Sequence, residues 1–141
     1  MTKALRTLIK LHKQFLDEKR RELVVLEEGR QQIVKFIKSL EVEFEMEKQF
    51  TAKAPERSYT FAEYANKVRG KKTEANTKIN LFDKEIKKLT DQIHDAYGEL
   101  KKFEIMKGIK EKKIAAEEGK KRQNELDEIA GVGHQRKMET T

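Results

Sequence analysis

The chain has 141 residues, of which 40% are charged and 36% are hydrophobic, and its 32 basic and 25 acidic residues give a formal net charge of +7. Average proteins carry roughly 25% charged residues, so this composition argues against a large globular core. The absence of cysteine excludes disulfides, thiolate metal sites and a cysteine nucleophile.

The first predicted element is a long amphipathic helix at about residues 3–50. From Leu5 onward, steps of four and three residues alternate, and nine of the 13 positions reached in this way are apolar. A period of 3.5 residues turns one narrow stripe, here called the seam, toward a partner helix. Leu8, Phe15 and Phe36 broaden the stripe, which leaves open a third helix docking from another chain.

Residues 40–46, near the end of this helix, alternate apolar and acidic side chains, which is the period of a β-strand. Glu, Leu and Met favour helix strongly, and nothing else in the sequence offers a partner strand, so we expect helix here too. That helix presents an acidic patch with Val42 and Met46 outside the seam. The patch is either a docking site or a solvated helix end. Its candidate partner-binding residues are Glu41, Glu43 and Glu45.

A connection at about residues 51–60 contains the only proline, Pro55, which cannot continue a helix because it lacks a backbone N–H. The second helix is predicted at about residues 61–130, with Thr60 and Glu63 as a capping box at its start. Its seam has 12 apolar positions out of 13. Two equally long seams and a short connection predict an all-α fold, an antiparallel two-helix coiled-coil hairpin with a longer second helix.

Polar residues interrupt both seams. His12, Lys19 and Arg30 occupy positions in the first seam, and Lys72 occupies one in the second. Such residues specify register at a cost in stability. For the three cations, two arrangements stay open: the side chain either reaches over the edge of the seam into solvent or pairs with an acid across it.

The second helix outlasts the first, which covers it only to about residue 103. Residues 104–130 therefore have no partner within the chain, and an isolated charged helix of this length is marginal in water. We expect this segment to become ordered by binding, and Gly131 to cap its end. The predicted domains are one hairpin at residues 1–131 and a flexible tail at residues 132–141.

The sequence contains no recognisable catalytic, cofactor-binding or metal-binding motif. The three histidines lack the spacing of metal ligands, and a two-helix hairpin has no deep substrate pocket. We therefore expect a protein that is not an enzyme and has no cofactor.

Positive charge is concentrated between residues 67 and 113, where 14 basic residues outnumber eight acidic ones. The charges alternate in sign and few aromatic residues lie outside the seam. This pattern favours an acidic protein partner over nucleic acid.

A second candidate surface lies at the open end of the hairpin, where the first helix begins and the second extends beyond it. Lysine on a helix surface usually serves only solubility, and neighbouring glutamates partly neutralise this stretch. The alternative is a contact with an acidic partner. The candidate residues are Arg6, Lys10, Lys13, Lys112, Lys113, Lys120, Lys121 and Arg122.

Residues 125–130 read Glu-Leu-Asp-Glu-Ile-Ala, and Arg136 follows them near the end of the long basic hairpin. In these features the chain resembles the flagellar export protein family FliJ, and it is similar in build to the injectisome stalk proteins of the YscO type. The resemblance covers nearly the whole chain, mostly as generic coiled-coil pattern. It implies a type III export protein, similar in fold to the two-helix stalk of rotary ATP synthases.

The resemblance also implies partners. They are the hexameric export ATPase, which the protein would bind centrally, the membrane export gate, and the export chaperones. We expect a cytoplasmic protein at the flagellar base, peripheral to the inner membrane. Direct membrane insertion is not expected, because no apolar run approaches the roughly 18 residues of a membrane span. A structural coiled-coil adaptor and a basic coiled coil associated with nucleic acid remain the alternatives.

Overall fold

The structure is a computed structural model that describes the backbone of residues 2–140 and the side chains of residues 2–138. Helix α1 spans Thr2–Lys53 and helix α2 spans Ser58–Thr140, with a 3-10 turn at Pro55–Arg57 between them. No strand occurs in this described part of the chain. The fold is therefore all-α, a hairpin with a longer second helix, and the predicted fold class is confirmed.

The connection is a single tight turn around the proline. Pro55 occupies the first position of the 3-10 turn, where the N–H that it lacks would have no partner in any case. The N–H of Ala54 donates to the carbonyl of Thr51, and the N–H of Arg57 donates to the carbonyl of Ala54, both at 3.0 Å. These two hydrogen bonds lead the chain from one helix directly into the next.

The predicted capping box is wrong. Helix α2 begins at Ser58, so Thr60 is already its third residue. A residue with helical backbone geometry on both sides is not an N-cap. The sequence pattern that Thr60 shares with Glu63 is real, but the helix begins three residues before the predicted start at residue 61.

The predicted seams are confirmed by burial. Every buried apolar side chain in the described part of the chain occupies a seam position, and no polar or charged residue there is fully buried. The spacing of apolar residues therefore identified the contact between the helices. The buried side chains are those of Leu5, Ile9, Leu16, Leu40, Val68, Ala75, Leu89, Ala96 and Leu100.

The chain divides into two compact units. The tip unit is Phe15–Ala96, and the open-end unit combines Met1–Gln14 with Tyr97–Thr141. The tip unit holds the connection and most of both seams. The open-end unit holds the start of α1 and the part of α2 that follows residue 96.

Two cations in the seam of the tip unit pair with acids on the opposite helix. The Nε of Arg30 lies 2.6 Å from Oδ1 of Asp83, and the Nζ of Lys72 lies 3.5 Å from Oε1 of Glu41. Lys19 instead pairs with an acid on its own helix. Partly exposed ion pairs contribute only about 0–1 kcal/mol each, so these two fix register more than they add stability.

Gly29 in the tip unit makes a close contact with the opposite helix. A Cβ atom built on Gly29 would lie 2.8 Å from two atoms of the Phe82 ring. The glycine therefore leaves the space that this ring occupies. The other glycines, such as Gly70, have open space at the same position.

In the open-end unit, α1 covers α2 further than predicted. Lys107 and Lys110, about one and two turns beyond Phe103, are still partly covered. Arg6 reaches Glu111, with 3.9 Å between Nη2 and Oε1. Two seams of equal length that begin and end together would place the start of α1 opposite Phe103, and these contacts lie beyond that residue.

The predicted end of α2 at Gly131 is also wrong, since the helix continues to Thr140. No glycine in the described residues has a positive φ, so Gly131 is not a left-handed cap. A helical glycine costs only about 1 kcal/mol relative to alanine, and no proline follows to stop the helix. The flexibility of residues 132–141 stays a prediction, and Thr141 lies outside the described residues.

Within the described residues, neither α1 nor α2 contains a stretch long and apolar enough to cross a membrane.

Candidate partner-binding surfaces

The overhang, defined here as residues 112–140, is the part of α2 that α1 does not cover. Every described side chain in it is exposed. A helix without tertiary contacts relies on its own hydrogen bonds and on side-chain pairs along its surface. One such pair lies within the overhang itself: the Nε2 of Gln123 donates to Oδ1 of Asp127 at 3.2 Å.

Five of the predicted partner-binding cations lie on the overhang. All five are exposed, and none of them makes a hydrogen bond or an ion pair with the described residues. Their charges are therefore available to an incoming acidic group. They are Lys112, Lys113, Lys120, Lys121 and Arg122.

The three predicted cations on α1 differ in where they lie relative to the overhang. Arg6 lies at the base of the overhang because it reaches Glu111. Lys10 and Lys13 are exposed further along α1. They flank His12 in the sequence, and the ring centre of His12 lies 5.0 Å from that of Phe103 on α2. The structure thus brings Arg6 to the overhang and places Lys10 and Lys13 beside the covered part of α2.

Two further lysines of the open-end unit are already neutralised on their own helix. Lys101 pairs with Glu104 at 3.5 Å, and Lys102 pairs with Glu99 at 3.2 Å. A hydrogen bond with Tyr97 raises the pKa of Lys101, and Glu104 adds to that effect. Lys101 and Lys102 are therefore less available to a partner than the five cations of the overhang.

The acidic patch on α1 is smaller than the sequence indicated. Glu41 already forms an ion pair with Lys72 across the seam, so it is less available to a partner. Glu43 and Glu45 are exposed, as are the apolar side chains of Val42 and Met46. The available patch therefore consists of these two acids and two apolar residues, on a segment that is helical as predicted.

A shallow groove of about 410 Å³ lies beside the connection, and sequence reasoning did not find it. Partial burial raises the pKa of Tyr64 on its wall, and the charges of Glu43 and Glu47 add to the shift. The end of α1, the connection and the start of α2 together line the groove, and no sequence period reveals such a combination. Its lining residues are Glu47, Thr51, Arg57, Thr60, Phe61 and Tyr64.

The described residues contain no group of three or more His, Asp or Glu side chains that could hold a metal ion. The surfaces with distinctive chemistry are thus charged and apolar faces of helices. Such faces recognise other proteins through complementary charge and apolar contact.

A comparison with known protein families finds a match over nearly the whole hairpin. The family model described as the flagellar FliJ protein matches residues 1–139. No curated protein and no solved structure matches the chain. The matched range contains both helices, the connection and every candidate surface described above.

Proposed function

Because the chain belongs to the flagellar FliJ protein family, it is a protein of flagellar export, and we propose that it acts there as a stalk. In this proposal the hairpin occupies the centre of the hexameric export ATPase. The open-end unit makes the contact with the ring. The protein works by binding and holding partners, not by catalysing a reaction.

The observation that carries the proposal is the set of unpaired cations on the overhang. A single stalk inside a sixfold ring cannot match six identical subunits at once, so its contacts have to adapt. Lysine suits this requirement because it is a point charge on a flexible stem. Opposite charge on the ring would speed the encounter and fix its orientation.

Two further partners belong to the proposal. The acidic patch, with Glu43 and Glu45 beside Val42 and Met46, is the second contact surface, toward the export gate or the export chaperones. It lies in the tip unit, so one molecule can present a basic and an acidic surface to different partners. The proposed location is the cytoplasmic base of the flagellum, at the periphery of the inner membrane.

Charge reversal on the overhang tests the ATPase contact. We expect the variant K112E/K113E/K120E/K121E to lower stimulation of the export ATPase by about tenfold or more, because four attractive contacts become repulsive. These lysines make no hydrogen bond or ion pair with the described residues, so the hairpin should melt at an unchanged temperature. The measurement is ATP hydrolysis by the ATPase with increasing amounts of each variant.

The matched control reverses four exposed lysines of the tip unit, in K35E/K38E/K71E/K78E. It changes net charge by the same amount and should keep most of the stimulation. If the overhang variant stimulates as well as the wild type while remaining folded, the contact lies elsewhere. The acidic patch would then be the next surface to substitute.

A further inference from the structure

The two sides of the seam in the open-end unit differ in charge. The spacing of the seam continues past Phe103 through Lys107 and Lys110. On a coiled-coil helix, residues that directly follow a seam position lie on one side of the seam, and residues that directly precede it lie on the other. Glu104 and Glu111 both follow a seam position, so this side of α2 is called the acidic side.

The acidic side is turned toward a cation of the chain itself. Arg6 reaches Glu111 with 3.9 Å between Nη2 and Oε1, and Arg6 directly follows the seam residue Leu5. Both partners of this contact therefore lie on the following side of their own helix. Since the following sides of the two antiparallel helices adjoin each other, the preceding sides adjoin each other as well.

The preceding sides of the two helices form what we call the basic-apolar face. Its four large apolar side chains are between 39% (Leu8) and 62% (Ile109) exposed. Its two lysines are exposed and make no ion pair with the described residues. The face consists of Leu8, Leu11, Met106, Ile109, Lys113 and Lys120.

The positive charge of this face is not balanced by acids on the same side. Residues 2–16 of α1 contain no acid. Glu99 precedes a seam position of α2, but it pairs with Lys102 at 3.2 Å. Glu117 continues the seam itself and does not lie on the preceding side. The face therefore presents exposed apolar side chains together with free positive charge.

From this arrangement we propose that the basic-apolar face rests on the surface of an anionic lipid bilayer. Its apolar side chains enter the boundary between headgroups and acyl chains. Its lysines extend from the helix surface to the lipid phosphates, since a lysine can bury its stem and keep its charge among the headgroups. A contact of this kind lies on the membrane and needs no spanning segment.

The composition of the face favours lipid over a protein partner. Protein interfaces are enriched in tyrosine, tryptophan and arginine and depleted in lysine. The cations of this face are lysines, and its apolar residues are leucine, isoleucine and methionine. An anionic bilayer offers an array of mobile phosphates, which flexible lysine side chains can follow. A lipid surface thus fits the charges and the apolar side chains together.

The inference goes beyond the proposed function, because the lipid contact needs no ATPase. Lys113 and Lys120 are also part of the surface that we propose for the ATPase, so one molecule uses them for one partner at a time. The two proposals are tested separately. Lipid binding is measured on the purified full chain with vesicles alone.

Co-sedimentation with lipid vesicles tests the contact. We expect the chain to bind vesicles made of phosphatidylcholine and phosphatidylglycerol, and to bind vesicles of phosphatidylcholine alone about tenfold or more weakly. Binding to the anionic vesicles should fall as the salt concentration rises, because salt screens the lysines. No binding to the anionic vesicles, or equal binding to both kinds, would overturn the proposal.

Charge reversal tests which side of the seam meets the lipid. K113E/K120E should weaken binding to the anionic vesicles by about tenfold or more, because two attractive charges become repulsive. The matched control K10E/K13E changes the net charge of the same unit by the same amount. Lys10 and Lys13 directly follow seam positions, so this variant should keep most of the binding. An equal loss in both variants would show that net charge alone governs binding and would overturn the proposal.

A polarity-sensitive fluorescent dye tests whether the apolar residues enter the bilayer. The natural chain lacks cysteine, so the dye reacts only with one introduced thiol. In I109C the emission should shift to the blue when anionic vesicles are added. In E118C, seven residues after Glu111 on the acidic side, it should stay unchanged. An equal shift at both positions, or no shift at either, would contradict the proposed orientation and overturn the proposal.

Discussion

Replacement of Leu89 by aspartate is expected to unfold both helices of the tip unit together. Leu89 is only 6% exposed and occupies the seam, so the new carboxylate would be buried without a partner. That change costs several kcal/mol, which is comparable to the roughly 5–15 kcal/mol that stabilises a whole small domain. Thermal unfolding followed by circular dichroism would show a large fall in the melting temperature or loss of helix at room temperature.

Leu81 supplies the matched control for this experiment. It lies on the same helix and is 58% exposed, so L81D introduces the same charge without burying it. Surface substitutions of this kind usually change stability by about 0.5 kcal/mol or less. A loss below about 1 kcal/mol in L89D, similar to that of L81D, would mean that the seam does not hold the helices together.

Two glycine-to-alanine substitutions in the tip unit are expected to change stability in opposite directions. In G29A the new Cβ meets the Phe82 ring at 2.8 Å, and overpacking of this kind costs about 1–3 kcal/mol. Over most of this range the cost exceeds the gain of about 1 kcal/mol from replacing a helical glycine, so G29A should be less stable than the wild type. In G70A the space is open, so only the gain remains.

Chemical denaturation of both variants measures the difference directly. G29A should unfold at a lower denaturant concentration than the wild type, and G70A at a higher one. Equal stabilisation of the two variants would show that the Phe82 ring moves aside freely. The close contact at Gly29 would then have no role in setting the register.

The contact face of each helix could be predicted from the sequence because it depends on local periodicity alone. Seam positions such as Leu16, Val68 and Leu100 recur at three and four residues, and a helix brings such positions to one face whatever surrounds it. The fold class followed from the same information. Two long faces with a single proline between them have few other ways to bury their apolar residues.

The pairing between the helices could not be predicted, because it depends on their register. The sequence marked Arg30 and Lys72 as polar seam residues, but it did not say that Asp83 and Glu41 would lie opposite them. Helix α2 starts three residues earlier than expected, and this changes which residues of the two helices face each other. The register also decides that Gly29 lies against the Phe82 ring. In the sequence, Gly29 is only a glycine inside a predicted helix.

The candidate surfaces could be predicted only in part, because the sequence does not show the contacts between side chains. The sequence shows which side chains are charged, but only contacts show which charges are already paired. Glu41 turned out to be neutralised by Lys72, whereas the five cations of the overhang have no partner among the described residues. The length of the overhang was missed because it depends on the register: the observed pairs Arg30–Asp83 and Glu41–Lys72 place the start of α1 opposite residues beyond Phe103.

The central claim, that the protein is a stalk inside the export ATPase ring, is tested most directly by the composition of the complex. Native mass spectrometry of the export ATPase mixed with this protein, in the presence of nucleotide, counts the subunits. The account predicts a ring of six ATPase subunits that carries a single copy of this chain. One copy bound to each ATPase subunit, or an ATPase hexamer that binds none, would contradict it.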